Sequence, residues 1–184
     1  HKALILDFKG ELANAVQTFQ EEITEQGGLT LRVIQLLGNL YERMGEKAKA
    51  EALYKEFSNT SPSSPVARKS LQRIEQGGPV EPFITSARDG MAEGFFGIAT
   101  TLSQQNARET ALMFARLGLY LRPNFPVMQI LLGNILQSDN QLESANLVYG
   151  AIDRTSPYSW PARLRAAENL NDLDRTEEAT IVLN

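Results

Sequence analysis

Few side chains in this chain have the types and spacing that chemistry needs. His1 is the single histidine and stands at the terminus, and there is no cysteine. A Ser-His-Asp relay, a thiolate nucleophile, a disulfide and a His- or Cys-ligated metal therefore all lack their central group. The carboxylate pairs Glu21/Glu22 and Glu177/Glu178 fall on predicted helix surfaces, where solvation and helix-pair salt links are the expected role. Asp172 and Asp174 occupy a turn without further oxygen ligands at calcium-loop spacing. Gly77-Gly78 is followed by no Lys-Ser or Lys-Thr, so it makes a turn and not a phosphate loop. The reading is a non-enzyme with no cofactor and no metal. Arg122, Arg154, Arg163 and Arg165 lie near predicted helix ends, where arginine receives an acidic ligand or complements a helix dipole.

The whole chain bounds the alternatives. Its 184 residues are 42% hydrophobic and 22% charged, an ordinary globular balance. The net charge of −4 and the pI of about 5.1 make a poor footprint for nucleic acid, which needs clustered Lys and Arg. No run of about 18 apolar residues predicts a membrane span.

The elements that must position any site are read from spacing. Ala111, Ala145 and Ala179 are successively 34 residues apart, as are Ala99 and Gly133, and Pro123 and Pro157. Upstream, Gly10 to Gly45, Ala15 to Ala50 and Phe19 to Tyr54 are each 35 apart. Small residues at fixed places let two helices approach closely, and large neighbours fill the groove between them. Leu31 to Ser64 is the clearest unit. Val33, Ile34, Leu37, Gly38 and Tyr41 form the stripe of its first helix, Met44-Gly45-Glu46 the turn, and Ala50, Leu53, Tyr54 and Phe57 the stripe of its second. Gln26-Gly27-Gly28 is the predicted stop of the helix before it, and Ser58 to Pro65 its exit. Gly38 to Ala99, Ala50 to Ala111 and Pro62 to Pro123 are instead 61 apart, so the period breaks between them. The expected organisation is N-terminal repeats over 1–64 with the first truncated, a degenerate helix plus a Gly/Pro loop over 65–91, and C-terminal repeats over 92–184 with the last truncated. In the middle segment Pro65 to Gln76 reads as a helix. Gly77 to Pro82 cannot be helix interior, and a helix resumes near Ser86 or Ala87 with Thr85 or Ser86 as cap. Phe83 is expected to anchor the loop on the helices.

This pattern resembles the tetratricopeptide repeat. The unit 31–64 carries the resemblance through Leu37-Gly38, Tyr41, Ala50, Tyr54 and Pro62, and departs from it at Ile34 and Phe57. The unit 126–159 carries it through Leu132-Gly133, Ala145, Tyr149 and Pro157. The resemblance implies an all-α fold, a helix-pair solenoid with right-handed superhelical twist and no sheet. Ala87 to Leu102 and Ala111 to Leu136 further resemble C-terminal repeats of large alphaproteobacterial proteins of this type. That likeness implies a fragment of a longer bacterial protein, with the cell envelope or periplasm favoured over the cytoplasm. Termini that fall inside repeats point the same way, and would leave apolar faces near Leu4, Ile5, Ile181 and Leu183 for further chain or a second copy.

In such repeats the first helices line a concave groove that takes peptides. By register with the family, the groove-facing candidates here are Arg32, Gln35, Asn39, Glu42 and Arg43, then Glu93, Phe96, Thr100 and Gln104. Val127, Ile130, Leu131, Asn134 and Gln137 follow, then Leu164, Arg165 and Glu168. Asn39 and Asn134 hold equivalent positions after a glycine, and an Asn there can pair with a peptide backbone through both its C=O and its NH₂. The basic neighbours with which some family members clamp a terminal carboxylate are replaced by Gln35, Phe96 and Ile130. The function this implies is a protein–protein interaction scaffold with a protein or peptide partner in the groove. The alternatives are a homo-oligomeric assembly module, or the substrate-recruiting arm of an enzyme whose catalytic domain lies elsewhere.

Overall fold

The computed structural model describes residues 1–26, 30–62 and 64–184; the expected Gly27-Gly28 stop and Ser63 of the expected exit lie outside the described residues. The described residues form eleven α-helices and no strand. They are α1 (Lys2–Phe8), α2 (Leu12–Gln26), α3 (Leu31–Arg43), α4 (Lys47–Thr60), α5 (Pro65–Gln76), α6 (Ala87–Gln104), α7 (Arg108–Leu121), α8 (Pro126–Ser138), α9 (Leu142–Gly150), α10 (Ser159–Asp172) and α11 (Thr176–Leu183). The chain divides into two units, His1–Gly90 and Met91–Asn184.

One local device makes the helix pairs. Gly10, Gly45, Asn106, Asn140 and Asp174 each adopt positive φ, between 58° and 79°. Each follows a first helix. In each case the next residue's N–H turns back to a carbonyl five positions earlier: Glu11 to Leu6 (2.9 Å), Glu46 to Tyr41 (2.8 Å), Ala107 to Leu102 (2.9 Å), Gln141 to Leu136 (2.9 Å) and Arg175 to Leu170 (2.8 Å). This closure satisfies the last carbonyls of the first helix and reverses the chain. Glycine, asparagine and aspartate tolerate the left-handed geometry best. The turns recur at 35, 61, 34 and 34 residues, which places the break in period between α4 and α6.

Other helix starts follow side-chain caps. The Thr30 hydroxyl accepts from Val33 N–H (3.3 Å), Ser64 from Ala67 N–H (3.5 Å) and Ser86 from Asp89 N–H (3.2 Å). Pro65 and Pro126 open α5 and α8, where a missing N–H costs nothing.

Packing follows the small-residue register. Ala15, Ala50, Ala92, Ala99, Ala111, Ala115 and Ala145 are wholly buried. A Cβ on Gly38 would fall on the Tyr54 ring, and one on Gly133 on the Tyr149 ring, so each glycine seats the aromatic residue of its partner helix. In the N-terminal unit α1 to α5 stack in chain order around Phe19, Ile34, Leu37, Leu40 and Tyr54. In the C-terminal unit Phe95 of α6 meets Phe114 of α7 at 5.7 Å between ring centroids. There α7 to α11 stack in turn around Met128, Leu132 and Tyr149.

Candidate partner-binding faces

The first-helix residues fall into two rows by register. Gln35, Phe96, Ile130 and Leu164 occupy one repeat position, and Asn39, Thr100, Asn134 and Glu168 the next turn along. Their surroundings differ between the two units.

In the N-terminal unit these residues are engaged by the chain itself. Gly77 ends α5 in the left-handed conformation, and residues 78–86 run without helix until α6 begins. The Asn39 amide donates to the backbone carbonyl of Glu81 (2.9 Å), and the Arg32 guanidinium stacks over the Phe83 ring at 4.8 Å. Ile84 is 4% exposed and joins the core of α1 to α4, with Phe83 packed against it. Glu81 lies at Asn39 and Phe83 at Arg32, one residue pair advancing as the other recedes, so the segment runs antiparallel to α3. Gln35 and Asn39 are buried.

Asn39 is held from behind by charge. Arg43 donates to Asn39 Oδ1 (3.4 Å) and pairs with buried Asp7 at 2.6 Å. Glu42 is also buried. It accepts from the Tyr54 hydroxyl (2.8 Å) and from Arg73 of α5, through Nε (3.1 Å) and Nη2 (2.5 Å). Burial, then the Glu42 charge, pushes the Tyr54 phenol well above the ordinary tyrosine value. Arg32 and Asn39 thus meet an extended segment of the chain itself, while Gln35 accepts from Arg32 (3.3 Å) and Arg43 braces Asn39.

The equivalent face of the C-terminal unit carries no such segment among the described residues. Phe96, Thr100, Ile130, Asn134 and Gln137 are half-buried, while Leu164, Arg165 and Glu168 are exposed. Phe96 packs on Phe125 at 5.8 Å, and the Thr100 hydroxyl turns back to the Phe96 carbonyl (2.8 Å). The Tyr149 hydroxyl lies 2.8 Å from Asn134 Oδ1 and 3.1 Å from Gln137 Oε1. Gln137 holds the place that Glu42 holds in the other unit, so the charged acceptor has become a neutral one. Of the other candidates, Glu93 is buried in an ion pair with Arg122 (3.3 Å), which itself lies 4.8 Å over the Phe125 ring. Arg163 donates to the Val182 carbonyl (2.6 Å) and stacks on Trp160 at 5.5 Å. These two arginines hold structure.

The Tyr149 environment has a pH signature. Burial raises its phenol to about 12, with Arg165 lowering and Glu168 raising it. A proton held more tightly in the folded state contributes stability below pH 10 that is lost as pH climbs from 10 to 12. Alkaline unfolding followed by circular dichroism should therefore be steeper in wild type than in Tyr149→Phe across that window, with the two curves parallel below pH 9.

Residues 31–63 match the family model of the tetratricopeptide repeat. The repeat match falls on α3 and α4, the hairpin with Gly38 against Tyr54. A solved structure titled "MamA MSR-1 C2" is similar over 99% of this chain and 88% of its own length, at 14% identity and a TM-score of 0.43. No curated protein matches the chain. The fold is that of a tetratricopeptide-type helix-pair array, and this repeat supports a protein-interaction scaffold. Among the described residues no helix is long and apolar enough to cross a membrane.

Two features escaped the sequence reading. Ile84 and Glu81 are contact residues of the extended segment after α5, and only their place in the proline-punctuated run Pro79-Val80-Glu81-Pro82-Phe83-Ile84 could have signalled it. Asn169 is fully buried and donates to Asn146 Oδ1 (2.8 Å), beside a concavity of about 350 Å³ lined in part by Asn146, Arg163, Leu170 and Val182. An asparagine at one internal helix position gives no periodic signal.

Proposed function

We propose that the chain is a non-catalytic protein-interaction scaffold that takes a peptide or protein partner on the first-helix face of its Met91–Asn184 unit. One observation carries this reading. The register positions that are buried beside the chain's own extended segment in the N-terminal unit are half-buried or exposed in the C-terminal unit. There they present an apolar row, Phe96, Ile130 and Leu164, beside a polar row, Thr100, Asn134 and Glu168. Leu164 is 39% and Trp160 50% exposed, the kind of aromatic and aliphatic surface that anchors an interface. Arg165 adds charge for an acidic group, and Asn134 an amide for a peptide backbone.

A second reading, assembly with other copies, has its own support. Met113, Leu147 and Ile181 stand 34 residues apart on the second helices and are 50%, 78% and 70% exposed, an apolar stripe in perfect register. A photo-activatable residue placed at Leu164, and separately at Leu147, separates the two in cells. Crosslinking of a discrete second protein from position 164, lost on Asn134→Ala/Arg165→Ala, supports the scaffold. A crosslinked homodimer from position 147, with nothing captured at 164, sinks it in favour of assembly.

A further inference from the structure

We infer that the concavity between α9, α10 and α11 is a small-molecule site for an amphipathic anion, a carboxylate head on a short apolar chain. None of the residues that carry this inference belongs to the first-helix face proposed above.

The space is about 350 Å³, within the range that holds small ligands. Ala166 and Leu170 of α10 and Val182 of α11 give it apolar walls. Two donors stand among them. Arg163 spends its Nε on the Val182 carbonyl (2.6 Å), while its Nη2 is buried and meets no acceptor. The Asn146 side chain accepts from Asn169 (2.8 Å), while its own Nδ2 is buried and likewise unmatched. Asn169 is wholly buried and holds that amide in place.

Buried donors without acceptors are costly, and a charged one most of all. Arg163 stacks on Trp160 at 5.5 Å but pairs with no carboxylate among the described residues. An acceptor that carries negative charge therefore gains most here. A carboxylate that reaches Arg163 and Asn146 breaks no existing hydrogen bond. Its alkyl chain then lies against Leu170 and Val182. Glu143 and Glu178 also line the concavity, but both are exposed, and Glu178 is matched by Arg175 (2.6 Å). Their charge disfavours a head group at the mouth and so favours the Arg163 end.

Equilibrium dialysis of octanoate against the full chain, with octanol as the neutral control, tests this. Octanoate should bind saturably, one per chain, and octanol at least about tenfold more weakly. Arg163→Gln should weaken octanoate about tenfold or more, and Asn146→Ala about three- to tenfold. Gly150 also lines the space, and a Cβ on it meets nothing within 4 Å. Gly150→Leu therefore fills the concavity from a position with room for a side chain. It should abolish binding with circular dichroism unchanged, and it carries the test if Arg163→Gln loses its fold. No saturable octanoate binding, which leaves water as the partner of both donors, overturns the proposal. So does equal affinity for octanol, or octanoate binding that survives Gly150→Leu.

Discussion

Arg73→Ala should cost about 3 kcal/mol of unfolding free energy, toward the lower end of what breaking a buried ion pair costs. Glu42 is 3% exposed at its side chain and receives two bonds from Arg73 and one from Tyr54. With the guanidinium gone, the carboxylate keeps only the phenol, and its desolvation is no longer offset. Arg73 itself is 33% exposed, so water entering its place tempers the loss. Two controls isolate the cause. Adding Glu42→Gln removes the orphaned charge and should recover part of the loss. Breaking the exposed pair of Lys55 and Glu51, 64% and 43% exposed, should change stability by less than about 0.5 kcal/mol. Urea unfolding of the four proteins measures all three terms, and an Arg73→Ala effect no larger than the Lys55 one would remove the ion pair from the account.

The second large effect has a sign that helix propensity alone gets wrong. Gly133→Ala should destabilise by about 1–3 kcal/mol, as overpacking does, although an alanine in a helix interior is worth about 1 kcal/mol over glycine. The new methyl would land on the Tyr149 ring, which cannot swing aside without giving up Asn134 and Gln137. Gly94 is also helical, and a Cβ there meets nothing within 4 Å. Gly94→Ala should therefore stabilise, by about 0.5–1 kcal/mol. Melting temperatures moving in opposite directions would establish the tyrosine ring as the reason for the glycine. A Gly133→Ala protein as stable as wild type would refute it.

What could be read from the sequence, and what could not, divides along contact distance in the chain. The helix pairs were legible because Ala111, Ala145 and Ala179 repeat at the period of a hairpin, and because Met44-Gly45-Glu46 marks a turn in the clearest unit. The break was legible as the 61-residue step, and Phe83 as a large residue in need of a seat. The seat itself was not. Asn39 meets Glu81 across 42 positions, Arg73 meets Glu42 across 31, and Arg43 meets Asp7 across 36. No periodicity encodes those pairings. The family register puts Asn39 on the same face as Asn134, and it does not show that one is covered by the chain's own backbone while the other faces a tyrosine. The surface at one repeat position is therefore set by what the break in the repeat does, more than by the repeat.

The absence of cysteine makes that contrast measurable. Cysteine placed singly at Gln35, Ile130 and Leu164 occupies one register position in three repeats. The rate of thiol labelling in the native protein reports how open each is. Labelling is expected to be prompt at 164, intermediate at 130, and slower at 35 than at 164 by about tenfold or more, limited there by local opening of the fold. Labelling at 35 as fast as at 164 would contradict it.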